Sequence, residues 1–239
     1  MIQIRSALFS IGYFVSGIVY GTLSVLTWIL PPLVRHKIVI YWTYFGVAWL
    51  RYTCSVKHKL IGTENLAAVP GPVIVMSKHQ STWETLFLQQ LFFPAVTVLK
   101  KELVNIPFFG WGLRALRPIA IDRSNPRQAL KQVKTQGVQR LAQGYNLVLF
   151  PEGTRAAPGE RLKYARSGAD IAIEANIPII PVALNSGVFW PRSQHTKVPG
   201  TIEVHLGEAI FPEGKTSRQL IEEVENWIEN KMQTLPERV

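Results

Sequence analysis

From Ser6 to Val34 the chain runs for 29 residues without an aspartate, glutamate, lysine or arginine, broken only by Pro31-Pro32. Such a stretch must either bury itself in a core or meet lipid. A helix over most of that length can cross a bilayer, which takes about 20 apolar residues. The basic triplet Arg35-His36-Lys37 follows, then Ile38–Leu50, uncharged for only 13 residues and closed by Arg51. This second segment falls short of a span. It is also aromatic (Tyr41, Trp42, Tyr44, Phe45, Trp49, then Tyr52), and aromatic rings favour the headgroup interface. The pattern predicts two hydrophobic helices joined at the Pro-Pro break, holding the chain in or on a membrane. A cleaved leader fits poorly, since the run is too long and lacks a small-residue cleavage site. A buried core hairpin has the same periodicity and stays open on sequence alone.

Charge follows the same division. The net charge is +10, yet residues 1–60 hold six basic side chains and no acidic one. A second basic concentration runs from Lys100 to Arg166, with thirteen Lys/Arg against four acids. Anionic lipid accounts for the first, and a phosphorylated substrate is a candidate for the second. A nucleic-acid module needs aromatics interleaved with cations, whereas here the aromatics cluster in the apolar hairpin. The single cysteine, Cys54, excludes an intrachain disulfide and any cysteine-clustered metal site.

From about residue 55 short β-branched runs alternate with helical stretches. Val73–Met76, Val96–Leu99, Pro118–Ile121, Asn146–Phe150, Ile177–Leu184 and Thr201–Leu206 read as strands. Helices are expected around 82–92, 107–116, 126–143, 167–176 and 217–233. Ser124 or Asn125 as cap, Pro126 in the first turn and Gly144 as stop punctuate the third of these. The expected fold is α/β, a largely parallel sheet flanked by helices. The expected division is an anchor over 1–54 and an α/β domain over 55–239.

In open parallel sheets ligands bind beyond the carboxyl ends of strands. Three such ends deliver polar residues here: Ser-Lys-His79, Asp122-Arg123 and Pro151-Glu-Gly-Thr-Arg155. His79 is followed by Glu84 in HQSTWE. Five residues on a helix stand about 140° apart, so the pair meets only if His79 is still in a loop and Glu84 in the first helical turn. There the carboxylate orients one imidazole nitrogen and leaves the other as a base. The plainer alternative is that Glu84 only complements a helix N-terminus. FPEGTR at 150–155 adds a carboxylate, a glycine that lets backbone approach a ligand, and an arginine fork suited to phosphate. FPEG recurs at Phe211–Gly214 with Thr216 and Gln219 at capping-box spacing, where a turn suffices. The GKT that follows lacks the first P-loop glycine, Ala209 standing there. GxSxG, HxxxH and GxGxxG motifs are absent.

Together, His79–Glu84, Lys100-Lys-Glu-Leu with Ile106-Pro107 and Gly110, Ile121-Asp-Arg123, FPEGTR and Ile177-Pro-Ile-Ile-Pro181-Val resemble the glycerolipid acyltransferases. The likeness is greatest to bacterial 1-acylglycerol-3-phosphate acyltransferases. The blocks stand in the family's order over about residues 60–185, and Gly62-Thr-Glu-Asn-Leu is similar to the family's opening segment. The family's first motif is usually HxxxxD, and this chain has HxxxxE. The resemblance implies acyl transfer from a thioester to the free 2-hydroxyl of lysophosphatidic acid, giving phosphatidic acid. It implies His79 as general base and Glu84 as its orienting partner. It further implies Lys100, Arg123 and Arg155 on the phosphate, Glu152 and Gly153 in the acceptor site, and Pro181 on the acyl-donor side. It calls for no metal and no resident cofactor; acyl-CoA or acyl carrier protein would be the co-substrate. The hairpin is similar to the family's membrane anchor, and the expected location is the bacterial inner membrane with the catalytic domain cytoplasmic. A related acyltransferase acting on glycerol-3-phosphate or another lysolipid, or a non-catalytic lipid-binding protein, are the alternatives.

Overall fold

The β-branched runs become strands of one sheet in the computed structural model of the protein, which describes residues 1–192 and 195–236. The strands are β1 (Val56–Ile61), β2 (Ile74–Ser77), β3 (Ala95–Lys100), β4 (Ile119–Ile121), β5 (Asn146–Leu149), β6 (Ile179–Leu184) and β7 (Gly200–Leu206). Their spatial order is β1-β7-β6-β2-β5-β3-β4, and every pairing is parallel except β6 with β7. The expected, largely parallel sheet is therefore present. β2 and β6 expose no residue, as continuous apolar runs require when helices cover both faces. β1 lies outside the expected set. Its Lys57-His58-Lys59 run is exposed at the sheet edge, where charge discourages further strand pairing and also hides the apolar alternation.

The helices are α1 (Ile2–Leu26), α2 (Pro32–Val39), α3 (Tyr41–Cys54), α4 (Thr63–Ala67), α5 (Trp83–Leu91), α6 (Phe109–Ala115), α7 (Pro126–Ala142), α8 (Ser167–Ala175), α9 (Ser186–Phe189) and α10 (Ser217–Met232). One sheet face packs against α3 and α5 through Leu50, Trp83, Phe87, Val75 and Val182. The other packs against α7, α8 and α10 through Met76, Val133, Ile171, Leu220 and Ile228. α7 starts as its sequence signals, with the Asn125 side chain accepting from the Gln128 amide at 3.2 Å and Pro126 in the first turn. α10 opens with the Thr216–Gln219 capping box.

The hydrophobic arm departs from two simple helices. α1 reaches Leu26, a 3₁₀ turn follows over Thr27–Ile29, and the Pro31-Pro32 break starts α2. The segment expected as one helix over Ile38–Leu50 is divided between α2 and α3 at Ile40. Trp42, Val47 and Leu50 of α3 are buried, each contributing about 1.5–3 kcal/mol on burial. α1 is long and apolar enough to cross a membrane, yet one side of it is docked. Trp42 Nε1 donates to Ser16 Oγ at 3.1 Å and Trp49 Nε1 to the Phe9 carbonyl at 3.2 Å. Gly21 lets the backbone of Phe108 approach where any Cβ would collide. The opposite side bares Ile4, Leu8, Ile11, Val15, Val19 and Leu26.

His36 of α2 is fully buried between Phe93 and Tyr145. Burial, and then the nearby Arg117 charge, push its pKa from 6.5 down to about 4. The neutral ring therefore stabilises the fold above the unfolded pKa. That contribution is lost as pH falls from about 6.5 towards 4, because only the unfolded chain readily binds the proton. His36→Leu is expected to flatten the pH dependence of thermal stability in that window. An unchanged slope across it would contradict this account.

Candidate active site

The loop after β2 carries His79, and the first turn of α5 carries Glu84. Their Nδ1 and Oε1 atoms stand 2.8 Å apart. The same oxygen accepts from the backbone amides of Gln80 at 2.8 Å and Ser81 at 2.6 Å. Glu84 therefore both complements the helix start and partners the histidine; the two sequence readings were not exclusive. Because an ionised carboxylate only accepts, the Nδ1 proton belongs on His79, and Nε2 is left as an acceptor. Phe150 stacks on the imidazole at 4.0 Å between centroids. The His79 amide donates to Glu152 Oε2 at 2.7 Å, and the His79 carbonyl accepts from the Ala156 amide at 2.7 Å. FPEGTR is thus stitched to the histidine loop along its length.

Beneath this loop lies a buried charge cluster. Lys78 is 1% exposed and its Nζ sits 2.8 Å from Glu152 and 2.9 Å from Glu229 of α10. It also donates to the Glu160 carbonyl at 2.9 Å. Tyr164 donates its hydroxyl to Glu229 at 2.8 Å. Burial raises the Glu152 pKa, while Lys78 and the His79 amide pull it down. Burial and the neighbouring carboxylates raise the Tyr164 phenol.

His79 opens on a cavity of about 860 Å³. Its polar wall carries Lys100, Arg123, Gly153, Arg155 and Arg192, and its deeper wall is apolar, with Leu86, Val98, Leu116, Ile121 and Val133. Tyr13 and Trp42 of the hydrophobic arm also line it. Among the described residues none of Lys100, Arg123, Arg155 and Arg192 pairs with a carboxylate. The nearest acid in sequence, Asp122, is taken by Lys101. Bonds from Lys101 and then Ser124 hold its pKa down to about 2. Gly153 turns with φ 68° and has open space where a Cβ would stand. The arrangement can remove a proton beside bound anionic charge and take an apolar chain.

The structure brings His79, Glu84, Lys100, Arg123, Gly153 and Arg155 to one place. It does not bring Glu152 or Pro181 to the cavity wall. Glu152 is turned inward onto Lys78 and the His79 amide. Pro181 lies within β6, beside Gly207 and Trp227. Sequence reading missed Arg192, Lys78 and Ser186. Arg192 stands in a loop without a motif. Lys78 had a signal, since a lysine continuing a wholly apolar strand demands buried partners. Ser186 follows β6 and falls under the same strand-end rule that found the others.

The acyltransferase family model matches residues 57–185. A Pseudomonas aeruginosa protein named 1-acyl-sn-glycerol-3-phosphate acyltransferase is 42% identical over 234 residues, covering 96% of this chain and 90% of its own. A Saccharomyces cerevisiae protein of the same name is 30% identical, over 75% of this chain and 60% of its own. The crystal structure of the 1-acyl-sn-glycerophosphate acyltransferase PlsC from Thermotoga maritima superposes with a TM-score of 0.79 at 22% identity. It covers 98% of this chain and 97% of that one, a likeness of fold.

Proposed function

The chain belongs to the acyltransferase family, and from that premise we propose that it acylates the 2-hydroxyl of 1-acyl-sn-glycerol-3-phosphate to give phosphatidic acid. The observation that carries this reading is a carboxylate-anchored histidine on a largely apolar cavity that it shares with cations unpaired among the described residues. A hydroxyl attacks a thioester well only as it loses its proton. His79 Nε2 takes that proton while the oxygen forms the new ester bond. The tetrahedral adduct then collapses, breaking the C–S bond, and the leaving thiolate recovers the proton from His79. Glu84 holds the ring and stabilises the imidazolium in between. No serine or cysteine ester intermediate is required. Lys100, Arg123 and Arg155 take the acceptor's phosphate, and Gly153 leaves room for its approach.

The donor is acyl-CoA or acyl carrier protein, both of which present anionic surface to the basic rim. In this reading residues 1–54 attach the protein to the membrane and residues 55–239 carry the chemistry. α1 lies along the bilayer surface with its bare apolar side in lipid, because its other side is occupied by α3 and α6. Lys37 and Arg51, both exposed, meet anionic headgroups, which favours the cytoplasmic leaflet of a bacterial inner membrane. Tyr13 and Trp42, shared by arm and cavity, give a lysolipid a route from the bilayer.

The test is an acceptor panel: purified protein, labelled acyl-CoA and acyl carrier protein donors, and lysophosphatidate, glycerol-3-phosphate and zwitterionic lysolipids. Product with lysophosphatidate is expected. Product with glycerol-3-phosphate alone, or none with any acceptor, would overturn the reading. Arg155→Ala is expected to raise the lysophosphatidate KM about tenfold or more with kcat little changed, the effect of one charge-assisted contact. An unchanged KM would remove Arg155 from the phosphate site.

A further inference from the structure

The Glu84 carboxylate has a fourth donor that no motif contains. Ser186, at the start of α9 and fully buried, donates its hydroxyl to Glu84 Oε2 at 2.6 Å. The other oxygen, Oε1, already serves His79 and the amides of Gln80 and Ser81. Ser186 is thus the sole partner of Oε2 among the described residues. We infer that Ser186 is a positioning residue of the acyl-transfer site, fixing the Glu84 carboxylate so that its Oε1 stays on His79 Nδ1. The inference rests on the reading of His79 as the base.

Three features support it. First, Glu84 is wholly buried, and a buried carboxylate oxygen without a donor is costly. Rotation of the carboxylate would strand Oε2 and weaken the imidazole contact together. Second, the serine is itself held. The neighbouring Asn185 accepts from the Glu203 amide at 2.9 Å, and the Ser186 carbonyl accepts from the Trp190 amide at 2.9 Å. The Gly187 amide also donates to the Gln80 side chain at 3.2 Å, a second tie between α9 and the histidine loop. Third, the chain has Glu where its family's first motif usually has Asp. With this longer side chain one carboxylate reaches both His79 and Ser186. No lysine or arginine pairs with Glu84 among the described residues. The buried pair Lys78–Glu152 reaches the loop through the His79 amide, and Lys100, Arg123, Arg155 and Arg192 line the cavity that His79 faces.

Ser186→Ala is expected to lower kcat about tenfold at unchanged KM, the fold-change of one lost hydrogen bond to a charged group. Without that donor the carboxylate holds a proton more readily, on itself or on His79. The acid limb of the kcat–pH profile should therefore move up by about one unit. Ser186→Cys, a similar volume with a far weaker donor, is expected to show the same changes at smaller size. It keeps the test open if alanine unfolds the protein. In a Glu84→Asp background, Ser186→Ala should cost less than twofold. Wild-type kcat and an unmoved acid limb in both single variants would overturn the role, as would full additivity in the double variant. His79→Ala separates the two claims. If it stays active, the base assignment fails; if it is inactive while the Ser186 variants are normal, only the role of Ser186 fails.

Discussion

Acyl transfer by a His79→Ala protein is expected to fall roughly 100- to 10,000-fold, the range for losing a positioned general base. The loss should appear in kcat, because the cations proposed to hold the acceptor stand on other elements. Lys100 ends β3, Arg123 follows β4 and Arg155 lies in the loop after β5. Folding should survive the change. Glu84 keeps the Gln80 and Ser81 amides and the Ser186 hydroxyl as donors, so no buried charge is stranded. The loop stays tied by its backbone to Glu152 and Ala156. The variant is therefore expected to melt near the wild-type temperature and to sediment with vesicles of anionic lipid. Activity within a few-fold of wild type would remove His79 from the chemistry.

Lys78→Met carries the largest expected effect on stability. Lys78 stands between Glu152 and Glu229, both largely withdrawn from water. Removing the cation leaves two carboxylates facing each other without a counter-charge. Breaking a buried pair in this way costs about 3–5 kcal/mol, which lowers Tm by roughly 10 °C in a chain of this size. The damage should also reach activity, since Glu152 is the group that holds the His79 amide. Adding Glu229→Gln to Lys78→Met should restore part of the lost Tm, because one of the stranded charges is then gone. A Lys78→Met protein that melts like wild type would show that the cluster contributes little.

The architecture was legible where local physics decides it. Ile74-Val-Met and Ile179-Ile-Pro-Val-Ala-Leu are buried on both faces and read as strands from composition alone. Asn125-Pro126 and Thr216–Gln219 announce helix starts through their own hydrogen bonds. β1 was hidden because an edge strand carries its charges on purpose, and Lys57 and Lys59 obscure the alternation. The strand-end rule found His79, Arg123 and Arg155, since it needs only the end of an apolar run. It could not say which polar groups turn outward. Glu152 reads as a ligand-facing carboxylate until its distant partner Lys78 is seen. Glu229, 151 positions from Lys78, and Ser186, 102 from Glu84, enter only through the fold. The arm was legible as apolar and as broken at Pro31-Pro32. That one side of it is docked depends on Gly21 and Trp42 meeting residues far along the chain or across the arm.

With His79 as the base, the acyl chain is expected on the 2-hydroxyl of lysophosphatidate. The most direct test is position-resolved mass spectrometry of the product formed by the purified wild-type protein from an isotopically labelled acyl thioester and 1-acyl-sn-glycerol-3-phosphate in anionic vesicles. Phosphatidic acid with the label confined to the 2-position is expected, with the product reduced roughly 100-fold or more in the His79→Ala protein. Label at another position, label retained covalently on the protein, or equal product from the His79→Ala protein would contradict this expectation.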